Sequence, residues 1–167
     1  MMEIININLE NICQYEPAIL ALEKVFPEGM RATSERIRDI LQRKRKIVKA
    51  ALSQGKYVGN IFGFCLTEQD IIEFDAQTEM NSDLTTLYIY NLAVSPEYQG
   101  NGIGGKLINS LLETAETLGY TTAKGYFREG ASFSLMEKIG GKPKKTYLIH
   151  GENYCFCELD LSTKKLI

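Results

Sequence analysis

The stretch SPEYQGNGIGGKLINSLLETA, residues 95–115, places glycines at 100, 102, 104 and 105 and then runs directly into an apolar-periodic segment. Just before it stands LYIYNLAV, a nearly unbroken apolar and aromatic run of strand character. A glycine-rich turn between strand and helix can hold phosphate. Its backbone N–H groups point into the loop, no Cβ obstructs a close approach, and the positive end of the helix dipole attracts an anion. The chemistry this implies is recognition of a phosphorylated molecule by Gln99, Gly100, Asn101, Gly102, Ile103, Gly104 and Gly105. Lys106, in the first helical turn, supplies a further cation.

Three phosphate-binding patterns compete for these glycines. Gly100, Gly105 and Lys106 fit G-x-x-x-x-G-K-[ST], but Leu107 stands where a hydroxyl must hold Mg²⁺. Gly100, Gly102 and Gly105 fit the dinucleotide pattern G-x-G-x-x-G. That pattern needs an acidic residue ending the next strand, and then further strand–helix units. The next strand, YTTAKGYF, runs instead into Arg128, and only a short helix and a hairpin follow. The third pattern is Q-x-x-G-x-G, carried by Gln99, Gly102 and Gly104 directly after LAVSPEY.

Here the fit extends beyond the glycines. Through NLAVSPEYQGNGIGGKLI and the later LMEKIGG, residues 87–140 resemble the GCN5-related N-acetyltransferase (GNAT) family. The resemblance implies a mixed α/β fold of the acyl-CoA N-acyltransferase type, with acetyl-CoA as co-substrate and no metal. Acetyl-CoA would lie between strands 86–94 and 120–127, its pantetheine arm paired with the backbone of Leu92, Ala93 and Val94. An N–H near Leu92 would polarise the thioester carbonyl for direct attack by a primary amine, of a small molecule, an amino acid or a peptide N-terminus.

Proton traffic fits the family pattern less well. In N-x-x-A-x-x-L-Y-E-K-x-G-F, the family's last helix, Leu135, Glu137, Lys138 and Gly140 match. Glu129, Ser132, Met136 and Gly141 replace the Asn, Ala, Tyr and Phe. Met136 cannot donate a proton to a departing thiolate, which leaves Ser134, Tyr126 or water as substitutes. The family's usual Glu on the central strand is also missing. Strand parity sets Tyr88 and Tyr90 on the same face as Leu92 and Val94, where either could reach the amine directly or through water. Tyr88 resembles the tyrosine in Y-I-x-x-L of some protein N-terminal acetyltransferases, although both rings also read as core aromatics. His150 titrates in the useful range, but H-G-E-N reads as a hairpin tip. Two functions follow: an acetyl-CoA-dependent N-acetyltransferase, or an acyl-CoA-binding sensor with little turnover.

The elements that must position these residues are legible in outline. EIINI (3–7), KIVKAAL (46–52), YVGNIFGFCLTE (57–68), 86–94 and 120–127 read as strands, and Gln54-Gly55 as a turn. Helices are expected over 17–26, over 33–45 behind the N-capping residues Thr33 and Ser34, over 105–118 and over 132–141. KTYLI and YCFCELDL flank the hairpin HGEN. The order is β-α-α-β-β-β-α-β-α-β-β, a single domain over 1–167. Residues 68–83 hold Glu68, Asp70, Glu73, Asp75, Glu79 and Asp83 without a basic residue. They read as a flexible acidic connection, either simply solvated or forming a negative collar for a cationic amine.

Composition narrows the partners. Hydrophobic residues are 44%, charged residues 24%, and the net charge is −2, which does not suggest a nucleic-acid binder. The run RKRK at 43–46 reads as the solvated end of a helix. The absence of a long apolar run argues against a membrane span, and the start of the chain against a signal peptide. The cysteines (Cys13, Cys65, Cys155, Cys157) are too scattered for a disulfide framework, and with His150 as the one histidine they do not make a zinc site. Cys155 and Cys157 alternate along a strand and should pack on one face. The expectation is a cytoplasmic enzyme with a small-molecule or peptide amine as acceptor, and homodimerisation is left open.

Overall fold

The computed structural model describes residues 1–74 and 80–167. Seven strands form one sheet in the order β1-β2-β3-β4-β5-β7-β6. In chain order the elements are β1 (Met2–Asn6), α1 (Ile12–Leu22), α2 (Ser34–Gln42), β2 (Ile47–Ser53), β3 (Lys56–Phe64), α3 (Glu68–Glu73), β4 (Thr86–Val94), α4 (Ile103–Thr117), β5 (Thr122–Arg128), α5 (Ala131–Lys138), β6 (Lys142–Ile149) and β7 (Glu152–Asp160). Neighbouring strands are antiparallel except β4 and β5, which α4 joins by a crossover. The expected mixed α/β class and strand order are present.

Alternation along each strand sends side chains to two cores. On one face Leu87, Ile89, Cys155 and Cys157 pack with Ile108, Leu111 and Leu112 of α4 and Met136 of α5. On the other, Val48, Phe62, Phe64 and Tyr88 pack with Ile12 and Ile19 of α1 and Ile37 and Ile40 of α2. All four cysteines are free thiols, and Cys155 and Cys157 share a face as expected.

Two elements differ from the sequence expectation. α1 begins at Ile12 rather than near Pro17, because Asn8 and Asn11 build a turn that starts it. Asn11 Oδ1 accepts from the Asn8 N–H at 2.9 Å, and Asn8 Oδ1 from the Asn11 N–H at 3.1 Å. The acidic connection is helical over Glu68–Glu73, not a flexible collar. A capping box starts it: Thr67 Oγ1 accepts from the Asp70 N–H, and Asp70 Oδ2 accepts from the Thr67 N–H at 2.8 Å. Arginines of the α2 region neutralise its charge. Arg43 reaches both Asp70 oxygens at 2.6 and 2.8 Å, and Arg36 meets Glu73 at 3.0 Å. Asp75 and Glu79 lie outside the described residues.

The outer strand β6 exposes Lys142, Pro143, Lys144 and Lys145 in succession. Among the described residues no helix is long and apolar enough to cross a membrane.

The Arg43–Asp70 pair gives a measurable acid response. Burial pushes the Asp70 carboxyl up, but bonds from Arg43 and the Thr67 N–H outweigh this and hold it below the ordinary value. A carboxyl lowered in the fold stabilises it fully above about pH 5, and that contribution is lost as pH falls through about 4 and below. Asp70→Asn should cost about 1.5–3 kcal/mol at pH 7, the range for charge-assisted hydrogen bonds. Urea denaturation of both proteins at pH 7 and pH 3 checks this, with the gap expected to narrow at pH 3.

Candidate active site

The parallel pairing of β4 with β5 covers only Thr86–Ile89 against Thr122–Gly125. Beyond it the two strands stop pairing, and both line a cleft of about 1170 Å³. The cleft runs from the glycine loop to the residues around His150. On its other edge β4 stays paired with β3 from Asn91 to Val94, so this stretch is held on one side while the side toward β5 faces the cleft.

The glycine loop sits at one end. Gly100 and Gly102 have φ values of +82° and +76°, a conformation that favours glycine, and a Cβ at either would meet nothing within 4 Å. Gly102 is the N-cap of α4 and supplies no side-chain cap, so the first N–H groups of the helix are left to an outside acceptor. A Cβ at Gly104 would meet Leu135 at 3.4 Å, an ordinary contact, so packing within the protein does not by itself demand glycine there. These features fit a diphosphate on backbone amides. Gln99, Gly100, Gly102, Ile103 and Gly104 line the cleft, as do Leu92, Ala93 and Val94. Gln99 also ties the loop to β4, its amide donating to the Val94 carbonyl at 3.2 Å.

Other expected residues fall elsewhere. Asn101 is exposed and donates back to the Tyr98 carbonyl at 3.0 Å, holding the turn rather than facing the cleft. Gly105 faces Leu135 and Ile167, and Lys106 is exposed; neither lines the cleft. Ser134 is exposed on α5 and also outside the cleft lining, because the helix turns Ala131, Ser132 and Leu135 toward it instead. Met136 is fully buried in the core beneath α4.

The parity expected of β4 fails at Tyr90. Phe62 pairs with Asn91 and Gly63 with Ile89, so Tyr90 is an extra residue, a β-bulge. Tyr88 and Tyr90 therefore face the α1/α2 side, while Leu92 and Val94 face α4. Tyr88, Tyr90 and Phe74 form an aromatic wall, Phe74 stacking on Tyr88 with centroids 5.9 Å apart. Burial, reinforced by Tyr126 and Tyr90, pushes the Tyr88 phenol far above its ordinary value. Burial and the charge of Glu23 push Tyr90 up to about 12, against a lowering by Arg36. Both phenols are protonated near neutral pH and can donate hydrogen bonds there.

The far end is built from segments distant in sequence. His150 is the tip of the β6–β7 hairpin, as expected, with φ of 48°. Its ring also lies against Gly29, where an added Cβ would sit 2.5 Å from Cε1. Hairpin and α1–α2 connection thus meet across the cleft, with Arg31, Tyr126, Arg128, Tyr147 and Tyr154 along its walls. Asn91, brought to the α1/α2 face by the bulge, donates to Glu23 Oε1 at 2.8 Å. Glu23 is 2% exposed and also accepts from the Ala32 N–H at 2.8 Å. Burial raises its carboxyl above the ordinary range, against lowering by Ala32, Asn91 and Arg31. Glu23 and Asn91 escaped sequence reasoning because their pairing spans 68 positions. Among the described residues no three metal-ligating side chains gather.

Comparison with known proteins follows from this geometry. The fold is similar to the ribosomal-protein-S18-alanine N-acetyltransferase from Escherichia coli, with TM-score 0.70 and 18% identity over 96% of this chain and 94% of that one. It is similar to Arabidopsis thaliana NAA60 in complex with acetyl-CoA, with TM-score 0.72 and 16% identity over 97% and 99%. It is also similar to an aminoglycoside 6'-N-acetyltransferase complexed with coenzyme A, with TM-score 0.71 and 14% identity over 95% and 97%. No curated protein matches the chain in sequence. The sequence model described as Acetyltransferase (GNAT) family matches residues 17–131, and the chain belongs to that family.

Proposed function

We propose that the chain is an acetyl-CoA-dependent N-acetyltransferase that transfers an acetyl group directly to a primary amine. The observation that supports this most is one cleft joining an uncapped, glycine-lined helix start, an open strand edge and an aromatic-walled chamber beyond them. Acetyl-CoA would supply an acetyl group already activated as a thioester. Gln99, Gly100, Gly102, Ile103 and Gly104 would hold its diphosphate, and the backbone of Leu92, Ala93 and Val94 its pantetheine arm. Gathering donor and acceptor in one cleft supplies proximity, which can contribute several kcal/mol toward the barrier.

The acceptor would occupy the chamber beside Phe74, Tyr88 and Tyr90, which the contact between Gly29 and the His150 ring closes at one end. Tyr88 and Tyr90 orient water or the acceptor as hydrogen-bond donors. Neither Ser134 nor Met136 is in place to protonate the thiolate; a thiol of ordinary pKa near 8.5 leaves tolerably without an acid. The structurally similar proteins act on an alanine of a ribosomal protein or on aminoglycosides, so peptide and small-molecule amines are both tested as acceptors.

Thiol release from acetyl-CoA across a panel of small amines, amino acids and N-terminally free peptides tests the activity. Release should rise at least tenfold over hydrolysis with one class. Silence across the panel with coenzyme A still bound would point to an acyl-CoA sensor. Gly102→Val should raise the Kd for coenzyme A at least tenfold by calorimetry. It should cost folding only about 1–2 kcal/mol, the penalty for a side chain in the left-handed region; unaltered affinity would refute the loop assignment. Gly29→Val, by displacing His150, should raise the acceptor KM severalfold while leaving the coenzyme A Kd within twofold.

A further inference from the structure

We infer that Asn91 and Glu23 form the seat of the acceptor nitrogen: Asn91 Oδ1 accepts an N–H from the incoming amine, and the Glu23 carboxylate behind it holds Asn91 in that orientation and supplies the balancing charge. The inference rests on the N-acetyltransferase reading and goes beyond it by assigning the group that receives the amine.

Asn91 is 8% exposed and lines the cleft. Its amide nitrogen is committed to Glu23 at 2.8 Å, yet its Oδ1 is buried with no hydrogen-bond partner among the described residues. An unpartnered buried acceptor destabilises a fold, and native folds rarely keep one without a use. The bulge at Tyr90 is what turns Asn91 to this face; in regular pairing it would point into the α4 core with Leu87 and Ile89. Asn91 also immediately precedes Leu92, so a nitrogen bound at Oδ1 lies beside the strand edge expected to carry the thioester.

The polarity of the pair selects the ligand. Both Glu23 oxygens are occupied, one by the Ala32 N–H and one by Asn91, so the carboxylate dictates which end of the Asn91 amide is presented. With its amide nitrogen turned to a carboxylate, Asn91 can offer only the carbonyl oxygen. A carbonyl backed by negative charge is complementary to an N–H donor of positive character and repels an anion. Arg31, Tyr57 and Tyr90 are the other titratable groups that interact electrostatically with Glu23. Only Arg31 among them is cationic at neutral pH, and an arriving ammonium adds a second positive partner to the carboxylate. Glu23 is a positioning residue, since it acts through Asn91.

The experiment compares wild type with Glu23→Gln and Asn91→Leu in the full chain. The amine is whichever of phenethylamine, spermidine, alaninamide or an N-terminally free tetrapeptide the wild type acetylates fastest. Gln at 23 keeps an oxygen for Ala32 but presents an amide nitrogen to Asn91. Asn91 must then flip and offer N–H rather than C=O to the cleft. Both variants should raise the amine KM at least tenfold with a smaller change in kcat, while the Kd for coenzyme A stays within twofold. An unchanged amine KM in folded variants would overturn the inference and leave the acetyltransferase reading intact. Parallel loss of Tm and coenzyme A affinity in both variants would mark the pair as structural and overturn it as well. Wild-type silence toward all four amines, with coenzyme A bound, would remove the functional reading and this inference with it.

Discussion

One extra residue in β4 governs the geometry of the cleft. Tyr90 has no partner of its own in β3, so the strand must kink and twist there. That kink coincides with the end of the β4–β5 ladder, whose last pair is Ile89 and Gly125. It also exchanges the faces of everything that follows. Before the bulge, even-numbered residues look toward α1 and α2; after it, they look toward α4. The strand can therefore put Tyr88, Tyr90 and Asn91 on the chamber side and still pack the partly buried Leu92 and Val94 against the α4 core. With regular pairing, one of those two sets would be on the wrong side of the sheet.

The two halves of the cleft are built on different principles. The half beside α4 is made by one continuous segment in which strand, turn and helix follow each other, and the polar groups it offers to the cleft are backbone amides of the uncapped helix start. Such a surface tolerates wide sequence change, which agrees with folds held in common at 14–18% identity. The opposite half is assembled from side chains of the α1–α2 connection, α3, β5 and the β6–β7 hairpin. Its aromatic wall and its buried Glu23–Asn91 pair depend on long-range packing.

This division also explains what was legible in the sequence. β4, the glycine turn and α4 could be read nearly residue by residue, because strand run, φ-positive glycines and apolar period are local signals. The bulge could not, since a two-against-one count exists only once β3 is paired; hence the inverted parity assigned to Tyr88 and Tyr90 against Leu92 and Val94. That Ser134 lies outside the cleft lining has a related reason: the angle of α5 against β5 decides which residues reach the cleft. The helix at 68–73 was within reach, because T-E-Q-D at 67–70 is a capping-box sequence, but its uncompensated acidity masked it until Arg36 and Arg43 were in place. His150 was rightly put at a hairpin tip, while its contact with Gly29 is a tertiary fact with no sequence trace.

The exposed outer strand β6 has a consequence for how copies of the molecule meet. A sheet ends there in unpaired backbone groups that would otherwise invite another strand. Lys142, Lys144 and Lys145 crowd that margin with like charge, and Pro143 withholds an N–H from it. Any second strand laid against β6 at this end would bring ammonium groups into register with its own or lose a rung of the ladder. The margin beside the chamber is thereby kept from fusing into a continuous intermolecular sheet, and the hairpin that carries His150 keeps its freedom to meet the connection opposite.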